Sequence, residues 1–186
     1  EQREQTKKRN KLLYQSEHDE LTGLYNKRSL NRYLEDVFEA CKLNEKELGI
    51  LFLDIDYFKQ LNDRYGHGKG DEGICAVADT LKKIFPEDYV ARYGGDEFLV
   101  VMTGRDLTYA MEHAESLCAG IREYKIPNED SELEPWLTIS VGGVCAIPRE
   151  PNRVWDFLSA ADNTLYEQKK EQKGKVRFYQ GEGKYL

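Results

Sequence analysis

One run of residues, GILFLDI at positions 49–55, most restricts what this chain can fold into. Its side chains are apolar on both alternating faces, so we predict a central strand in a sheet that is covered on both sides. The run leads into Asp54 and Asp56, which share one face of an extended chain while Ile55 points to the other. Two carboxylates at the end of a buried strand are costly unless a cation or a hydrogen-bond donor pairs with them.

Helical and strand patterns alternate around this run. Apolar residues recur at three- and four-residue spacing in four segments, which predict amphipathic helices at 27–45, 74–85, 107–121 and 154–165. Further apolar runs predict strands at 89–93, 97–102, 136–147 and 176–179. The first two of these strands flank a Gly-Gly pair, which is typical of a tight hairpin turn. This order of elements predicts an α/β fold, a sandwich of helices around a mixed sheet.

Length and composition place the chain among folded domains. Its 186 residues are enough for one domain with short extensions. Charged residues make up 33% and hydrophobic residues 40%, which excludes a disordered tail and a membrane bundle. The net charge of −7 gives no general attraction to nucleic-acid phosphates, so we expect no nucleic-acid partner. A nucleotide bound through a metal ion stays open.

No segment of the sequence predicts membrane contact. The longest apolar run, 49–53, is far shorter than the ~20 residues that a membrane helix needs. The four cysteines lie far apart without metal-ligand spacing, which indicates reduced thiols in the core. We therefore expect a cytoplasmic domain, and a membrane-anchored parent protein stays open. The chain starts at Glu1 instead of Met, and residues 1–17 form a polar helical segment, so we expect a fragment that follows an upstream sensor domain.

A second acidic pair, Asp96 and Glu97, follows the Gly-Gly pair of the predicted hairpin. If the hairpin lies beside the 49–55 strand, both acidic pairs meet at one sheet edge. Carboxylates without Cys or His favour Mg²⁺ or Mn²⁺, and two such ions can activate a hydroxyl and neutralise a pyrophosphate leaving group. In the alternative interpretation, Asp54 and Asp56 cap the next helix and bind Lys59 or Arg64, and the Gly-Gly-Asp-Glu run is an ordinary polar turn.

The segment 62–71, NDRYGHGKGD, lies between the acidic pairs and is rich in glycine, but it lacks the P-loop pattern. It fits either a phosphate-cradling loop or a link between helical segments. Asn62 and Asp71 have the hydrogen-bonding groups that read a guanine edge, whereas His67 alone is more simply a surface or capping residue. Near the end of the chain, four lysines have two alternative roles: they face a triphosphate, or they complement the dipole at a helix C-terminus. They are Lys169, Lys170, Lys173 and Lys175.

Five motifs occur in the order that is typical of one family. They are DELTGLYNKR at 19–28, DIDYFKQLND at 54–63 followed by Gly66-His67 and Gly70-Asp71, RYGGDEF at 92–98, TISVGG at 138–143, and ADNTLY at 161–166. With these motifs the chain resembles the diguanylate cyclase, or GGDEF, family. The resemblance divides the chain into a linker or signalling helix at 1–17, a catalytic domain at 18–180 and a C-terminal tail at 181–186.

The resemblance implies a palm-like nucleotidyl-cyclase fold, with a central five-stranded mixed sheet and the GGDEF motif on a β-hairpin. It implies condensation of two GTP molecules into cyclic di-GMP and two pyrophosphates, with each 3′-hydroxyl attacking the other α-phosphate across a homodimer. The product would serve bacterial second-messenger signalling. An alternative is a GGDEF domain that binds GTP or a regulatory partner without turnover. A purely structural dimerisation module would leave the acidic strand end unexplained.

The family motifs also imply a catalytic centre. Two Mg²⁺ or Mn²⁺ ions per active site would be held by Asp54, the Ile55 carbonyl, Asp96 and Glu97. Asp96 would also be the base for the 3′-hydroxyl, and Arg92 would stabilise charge in the transition state.

The resemblance to this family also implies a substrate site. Asn62 and Asp71 would read guanine, and His67 would lie near the sugar. Phosphates would contact Lys169 and the backbone amides of three residues, Tyr57, Phe58 and Lys59. The family usually has Gly-Arg after that lysine, and here Lys173 or Lys175 would replace the arginine, without its forked geometry.

One further motif of the family is incomplete. The product-inhibition motif Arg-x-x-Asp corresponds here to residues 85–88, FPED. Asp88 is kept, but Phe85 stands where the arginine would bind cyclic di-GMP. We therefore predict no feedback inhibition through this site.

Overall fold

The computed structural model describes residues 1–181 and residue 186. The helices and strands of these residues are, in chain order, α1 Gln2–Glu17, α2 Lys27–Leu43, β1 Leu48–Ile55, α3 Phe58–Tyr65, α4 His67–Ile84, β2 Tyr89–Arg92, β3 Glu97–Thr103, α5 Leu107–Glu123, β4 Ile139–Ala146, α6 Val154–Glu171 and β5 Val176–Phe178. Most of the predicted tail at 181–186 lies outside the described residues.

The strands form one mixed five-stranded sheet in the order β2-β3-β1-β4-β5. Strand β1 lies at its centre and pairs antiparallel with both β3 and β4, whereas β4 and β5 are parallel. Every residue of β1 is buried, as predicted from its apolar character on both faces. The predicted α/β fold with a central five-stranded mixed sheet is therefore confirmed.

Alternation along β1 divides the core into two layers. Leu51 and Leu53 pack in one cluster with side chains of α4 and α5, and Ile50 and Phe52 pack in the other with side chains of α2 and α6. Because successive side chains point to opposite faces, Asp54 lies on the same face as Ile50 and Phe52. The acidic end of β1 thus belongs to the layer that contains α6.

The Gly-rich segment after β1 is largely helical. Two helices, α3 and α4, meet at Gly66, whose φ of 88° and ψ of 166° suit glycine best. The predicted second helix is confirmed, but it begins earlier than its apolar residues indicate, because α4 starts at His67 and includes Gly68 and Gly70. The segment is the link between helices that the sequence left open, and Gly66 is the linking residue.

Helix α1 contributes nothing to the core, since all of its residues are at least partly exposed. Five aromatic rings connect its end to the domain, with successive centroids 4.0, 4.6, 4.2 and 3.9 Å apart, in the order Tyr14, His18, Tyr25, Tyr89 and Tyr33. The stack passes from α1 to the edge strand β2 and to α2. Residues 2–17 are helical, as predicted, and stacked aromatic rings attach this helix to the rest of the domain.

Within the part of the chain that the structure describes, no helix is both long enough and apolar enough to span a membrane. None of the four cysteines is in a disulfide. Cys41 and Cys118 are buried, as predicted, whereas Cys75 and Cys145 are only partly buried.

Candidate active site

The two acidic pairs meet at one end of the sheet. Asp54 is the register partner of Glu97 across β1 and β3, and the Ile55 N–H donates to the Asp96 carbonyl over 3.3 Å. Directly paired residues of antiparallel strands present their side chains on the same face. The predicted position of both acidic pairs at one edge of the sheet is therefore confirmed.

Asp54 is the most buried of these three carboxylates, at 8% exposure. Its Oδ2 accepts a hydrogen bond from Lys169 Nζ over 2.5 Å, and its Oδ1 is buried without a hydrogen-bond partner among the described residues. Burial raises the pKa of Asp54 to about 6 although Lys169 opposes the shift. A second positive charge at Oδ1 would stabilise the ionised form.

Asp96 and Glu97 are partly buried beside Asp54. Burial raises the pKa of Asp96, with Lys169 and Arg92 opposing the shift. Burial also raises the pKa of Glu97, and the neighbouring Asp96 adds to that shift. The Glu97 carboxylate lies over Gly94, where a Cβ atom would come within 2.8 Å of Oε2. The sheet end thus concentrates negative charge with incomplete compensation.

This arrangement fits a hard divalent cation bound together with substrate. Among the described residues, no three His, Cys, Asp or Glu side chains converge into a ready metal site. Mg²⁺ typically takes one or two protein carboxylates and completes its shell with phosphates and water. The Oδ1 of Asp54, which has no hydrogen-bond partner among the described residues, would supply one such ligand, and the predicted Ile55 carbonyl lies at the last position of β1.

Asp56 has different partners from Asp54, although both follow the same strand. Its carboxylate is 1% exposed and accepts from Thr138 Oγ1 over 2.8 Å and from Ser140 Oγ over 2.6 Å. The Ser140 Oγ in turn accepts from the Gly174 N–H over 2.9 Å. Asp56 therefore connects β1 to β4 and to the turn after α6. Sequence reasoning missed this network, although the polar residues at 138 and 140 within an apolar strand were a signal for it.

The alternative in which these aspartates bind Lys59 or Arg64 is wrong. Lys59 pairs with Asp63 on its own helix over 2.7 Å. Arg64 pairs with Glu129 and Asp130, at 2.6 and 3.0 Å. Neither cation is a hydrogen-bond or ion-pair partner of the acidic strand end, so Lys169 is the cation that does pair there.

A turn suited to phosphate lies between β1 and α3. Tyr57 is in the left-handed region, with φ of 53° and ψ of 36°, and immediately precedes the first residue of α3. The free N–H groups at a helix N-terminus attract anions, and here they belong to Phe58 and Lys59. A cleft of about 420 Å³ adjoins the turn and is lined by Tyr57, Glu132, Leu133, Lys169, Glu171, Gln172 and Lys173.

Lys169 and Lys173 both line this cleft. Lys173 Nζ is 4.2 Å from the centroid of the Tyr57 ring, which is a cation–π contact. Lys175 is not among the residues that line the cleft. Lys169 and Lys173 thus share a cleft with Tyr57, whereas Lys175 does not line it, and the replacement of the family's arginine by either Lys173 or Lys175 stays a prediction.

The predicted guanine readers lie on two helices that meet at Gly66. Asn62 on α3 packs so closely on α4 that a Cβ atom at Gly70 would be 1.9 Å from its Oδ1. That oxygen is buried without a hydrogen-bond partner among the described residues. Asp71 follows Gly70 on α4 and is exposed, as is His67 at the start of that helix. The helical hairpin therefore brings Asn62 close to the α4 turn that carries Asp71.

Arg92 has a place that the sequence did not indicate. Its guanidinium pairs with Asp19 over 3.2 Å and donates to the carbonyls of Gly94 and Gly95. Burial opposes ionisation of Asp19, but hydrogen bonds from Thr22 and the charge of Arg92 outweigh it and lower the pKa. Arg92 thus ties the segment after α1 to the Gly-Gly turn. Its predicted role in the transition state stays a prediction.

The residues of the incomplete inhibition motif are engaged inside the domain. Phe85 is 1% exposed and packs in the core. The Asp88 carboxylate accepts from the Tyr109 hydroxyl over 2.7 Å, and Arg105 Nε lies 4.0 Å from it. The side chain of Asp88 is only 3% exposed.

The mixed sheet carries Asp54 at the end of β1 and Glu97 at the start of β3, beside a cleft lined by two lysines, and this is the arrangement of a palm-like domain of the nucleotidyl-cyclase class. The family described as "Diguanylate cyclase, GGDEF domain" matches residues 16–175. The chain belongs to this family.

Curated relatives agree with this assignment. Diguanylate cyclase DgcM of Escherichia coli K12 is 33% identical over 175 residues, which are 93% of this chain and 41% of DgcM. The protein named probable diguanylate cyclase DgcC, from the same strain, is 32% identical over 162 residues, which are 86% of this chain and 42% of DgcC. The chain therefore spans less than half the length of these relatives.

Solved structures show the same fold. The coiled coil and GGDEF domain of DgcB from Caulobacter crescentus, in complex with c-di-GMP, has a TM-score of 0.85 at 21% identity, over 95% of this chain and 92% of that chain. Diguanylate cyclase SiaD of Pseudomonas aeruginosa, in complex with its activator SiaC, has a TM-score of 0.76 at 28% identity, over 95% of this chain and 68% of that chain. The first similarity concerns fold alone.

Proposed function

We propose that this domain condenses two GTP molecules into cyclic di-GMP and two pyrophosphates. The observation that carries the proposal is the buried Asp54, whose free Oδ1 lies at the sheet end where Glu97 and Lys169 also lie. A carboxylate with one unpartnered oxygen beside a phosphate-sized cleft suits a metal-bound triphosphate. Family membership supports cyclic di-GMP synthesis in general.

The reaction is a double in-line displacement. Each 3′-oxygen forms a bond to the α-phosphorus of the other GTP, the bond from that phosphorus to the bridging oxygen breaks, and pyrophosphate leaves. The 3′-hydroxyl proton passes to the Asp96 carboxylate, and because burial raises the pKa of this group, it is a stronger base than an ordinary aspartate. Two Mg²⁺ or Mn²⁺ ions, held by Asp54, the Ile55 carbonyl, Asp96 and Glu97, would supply charge neutralisation at the phosphates.

The remaining residues bind and orient the substrate. Asn62 and Asp71 read guanine from adjacent helices, and His67 lies near the sugar. The N–H groups at the start of α3 contact phosphate oxygens, together with Lys169 and Lys173. Lys169 exchanges its bond to Asp54 for a phosphate when the metal-bound nucleotide enters, and Arg92 stabilises the transition state from the Gly-Gly turn.

One domain holds one GTP, so the active unit is a homodimer with the two sites face to face. The test is incubation of the 186-residue chain with GTP and Mg²⁺ over a range of protein concentrations, with cyclic di-GMP quantified by chromatography. We expect product whose rate rises more steeply than protein concentration. Bound GTP without product at any concentration would favour the alternative of a binding-only regulatory domain.

Added cyclic di-GMP is expected to leave the rate unchanged. Phe85 offers no cation to the product, and the Asp88 carboxylate is already bonded to Tyr109 inside the domain. The measurement is the initial rate at saturating GTP with and without added product. Strong non-competitive inhibition would show that another arrangement of residues performs the role of the missing arginine.

Deletion of residues 1–17 is expected to lower self-association and turnover at low protein concentration, with little effect on stability. Helix α1 has no buried residues, so its removal exposes little core, whereas Leu12 and Leu13 are 58% and 53% exposed and available to a second copy. We propose that an upstream sensor domain acts through this helix. Sedimentation velocity and turnover rates at matched protein concentrations test the role of α1. Equal values for the full chain and for the chain without residues 1–17 would contradict that role.

A further inference from the structure

The connection between α5 and β4, residues 124–138, folds back over the candidate active site; we call it the α5–β4 strap. It is a narrow hairpin, since the Asn128 N–H donates to the Pro135 carbonyl over 2.9 Å and the Leu137 N–H donates to the Ile126 carbonyl over 2.8 Å. These internal bonds give the strap a defined structure.

The strap contacts α3 at both of its ends. At the start of the helix, Asn128 Nδ2 donates to the Tyr57 carbonyl over 3.3 Å, and the Tyr57 hydroxyl donates to Glu132 over 3.3 Å. At the other end, Arg64 pairs with Glu129 over 2.6 Å and with Asp130 over 3.0 Å. The helix between these contacts carries both the phosphate-binding turn and Asn62.

Asn128 is the buried member of these contacts, at 0% exposure. Its Oδ1 is buried without a hydrogen-bond partner among the described residues, which is unfavourable for a carboxamide. An apolar residue of the same size would fill the position without that cost. What the amide adds is the bond to the Tyr57 carbonyl.

That carbonyl belongs to a strained residue. Tyr57 is in the left-handed region, which non-glycine residues adopt only where the surroundings hold them. The direction of the next N–H groups, at Phe58 and Lys59, depends on the Tyr57 backbone angles. Fixing the Tyr57 carbonyl therefore fixes the groups that face a phosphate.

We propose that the α5–β4 strap holds α3 in the orientation that binds triphosphate, and that Asn128 is the positioning residue. The proposal rests on the proposed function for the identity of the ligand, GTP. Its structural part, the restraint of α3 by the strap, does not depend on that ligand.

The first experiment compares Asn128→Ala with Ser131→Ala in the 186-residue chain. Ser131 is a matched control, because its Oγ accepts from Leu133 within the strap and is not bonded to α3. We expect Asn128→Ala to raise both the Kd for Mg²⁺-bound 3′-deoxy-GTP and the KM for GTP about tenfold, the effect of one buried hydrogen bond, with kcat within about twofold. Ser131→Ala is expected to match the unaltered chain. Equal Kd values for the unaltered chain and Asn128→Ala would overturn the assignment.

Hydrogen exchange provides a reading that does not require nucleotide. Asn128→Ala is expected to speed amide exchange at least about fivefold at residues 61–65, whose N–H groups are bonded within α3 beginning with the bond from Leu61 to the Tyr57 carbonyl, with the β1 amides unchanged. Unchanged exchange at 61–65 would overturn the restraint. A chain that binds no 3′-deoxy-GTP at all would contradict the proposed function, and the exchange result would still decide the restraint.

The second experiment exchanges charges at the other end of α3. Arg64→Glu is expected to raise the KM for GTP about threefold, because like charges then face each other across the strap contact. The double variant R64E/E129R restores an ion pair and is expected to recover at least half of that loss. Failure of the swap to recover KM would indicate that Arg64 acts on the nucleotide directly and would overturn the two-ended restraint.

Discussion

Replacing Asp96 with alanine is expected to abolish cyclic di-GMP synthesis, with turnover falling about a thousandfold or more while the domain keeps its fold. The variant loses both the proposed base for the 3′-hydroxyl and a proposed metal ligand. Asp96 lies in the turn before β3 and is only partly buried, so its removal opens no cavity in the core. Burial raises the pKa of its carboxyl group, so the neutral alanine removes an unfavourable charge.

The measurement is the initial rate of product formation, together with urea denaturation of the same samples. Glu112→Ala serves as the control, because it removes an equal charge from an exposed position on α5. We expect the control to retain the rate of the unaltered chain and both variants to unfold within about 1 kcal/mol of it. Turnover that survives in Asp96→Ala would refute the role of Asp96 as base.

Replacing Asp54 with asparagine is expected to reduce turnover about a hundredfold or more and to stabilise the metal-free domain. The amide keeps the size of the side chain but loses the negative charge that would hold a cation. In the unaltered domain that charge is buried, and within residues 1–181 and 186 it has one ion pair, to Lys169, and one oxygen without a hydrogen-bond partner. The same residue is therefore costly for the fold and necessary for the reaction.

The pH dependence of this stabilisation follows from the pKa of Asp54, which burial raises from 3.8 to about 6. Between these values the folded state binds more protons than the unfolded state, so stability falls as pH rises through this range. A pKa difference of this size changes the free energy of unfolding by roughly 3 kcal/mol at most. Asparagine does not ionise, so the variant gains about 2 kcal/mol above pH 6, and the gain disappears towards pH 4.

Urea denaturation in EDTA at several pH values between 4 and 8 tests the stability part, and product assays with Mg²⁺ test the catalytic part. A stability difference that is independent of pH would mean that the Asp54 carboxylate does not titrate in this range. Full turnover in Asp54→Asn would show that Asp54 is not a metal ligand. The two results are independent, so each part can fail alone.

Much of the site was predictable because it depends on short-range pattern. The run at 49–55 is apolar on both faces, and only a central strand buries both faces at once. The Gly94-Gly95 pair predicts the hairpin that joins β2 to β3, whereas the position of that hairpin beside β1, which brings Glu97 opposite Asp54, was only a condition in the sequence and is decided by the sheet order. Both predictions follow from alternation and turn chemistry within a few residues.

The segment around Gly70 shows where local pattern failed. Glycines at 68 and 70 have low helix propensity, which favoured a later start for α4. In the structure Asn62 Oδ1 occupies the space of a Gly70 side chain, so packing between the two helices requires glycine there. A tertiary contact thus overrides local propensity.

By itself, the sequence determined the order of the motifs, the family and the central strand with its acidic end. Only the tertiary structure decided which partner each polar group has. Lys169 pairs with Asp54 across 115 positions and Asn128 bonds to Tyr57 across 71, whereas Arg92 binds Asp19 and the Gly-Gly turn. A charge or an amide in a sequence has many candidate partners, and the choice among them depends on side-chain directions that exist only after the sheet and its helices have packed.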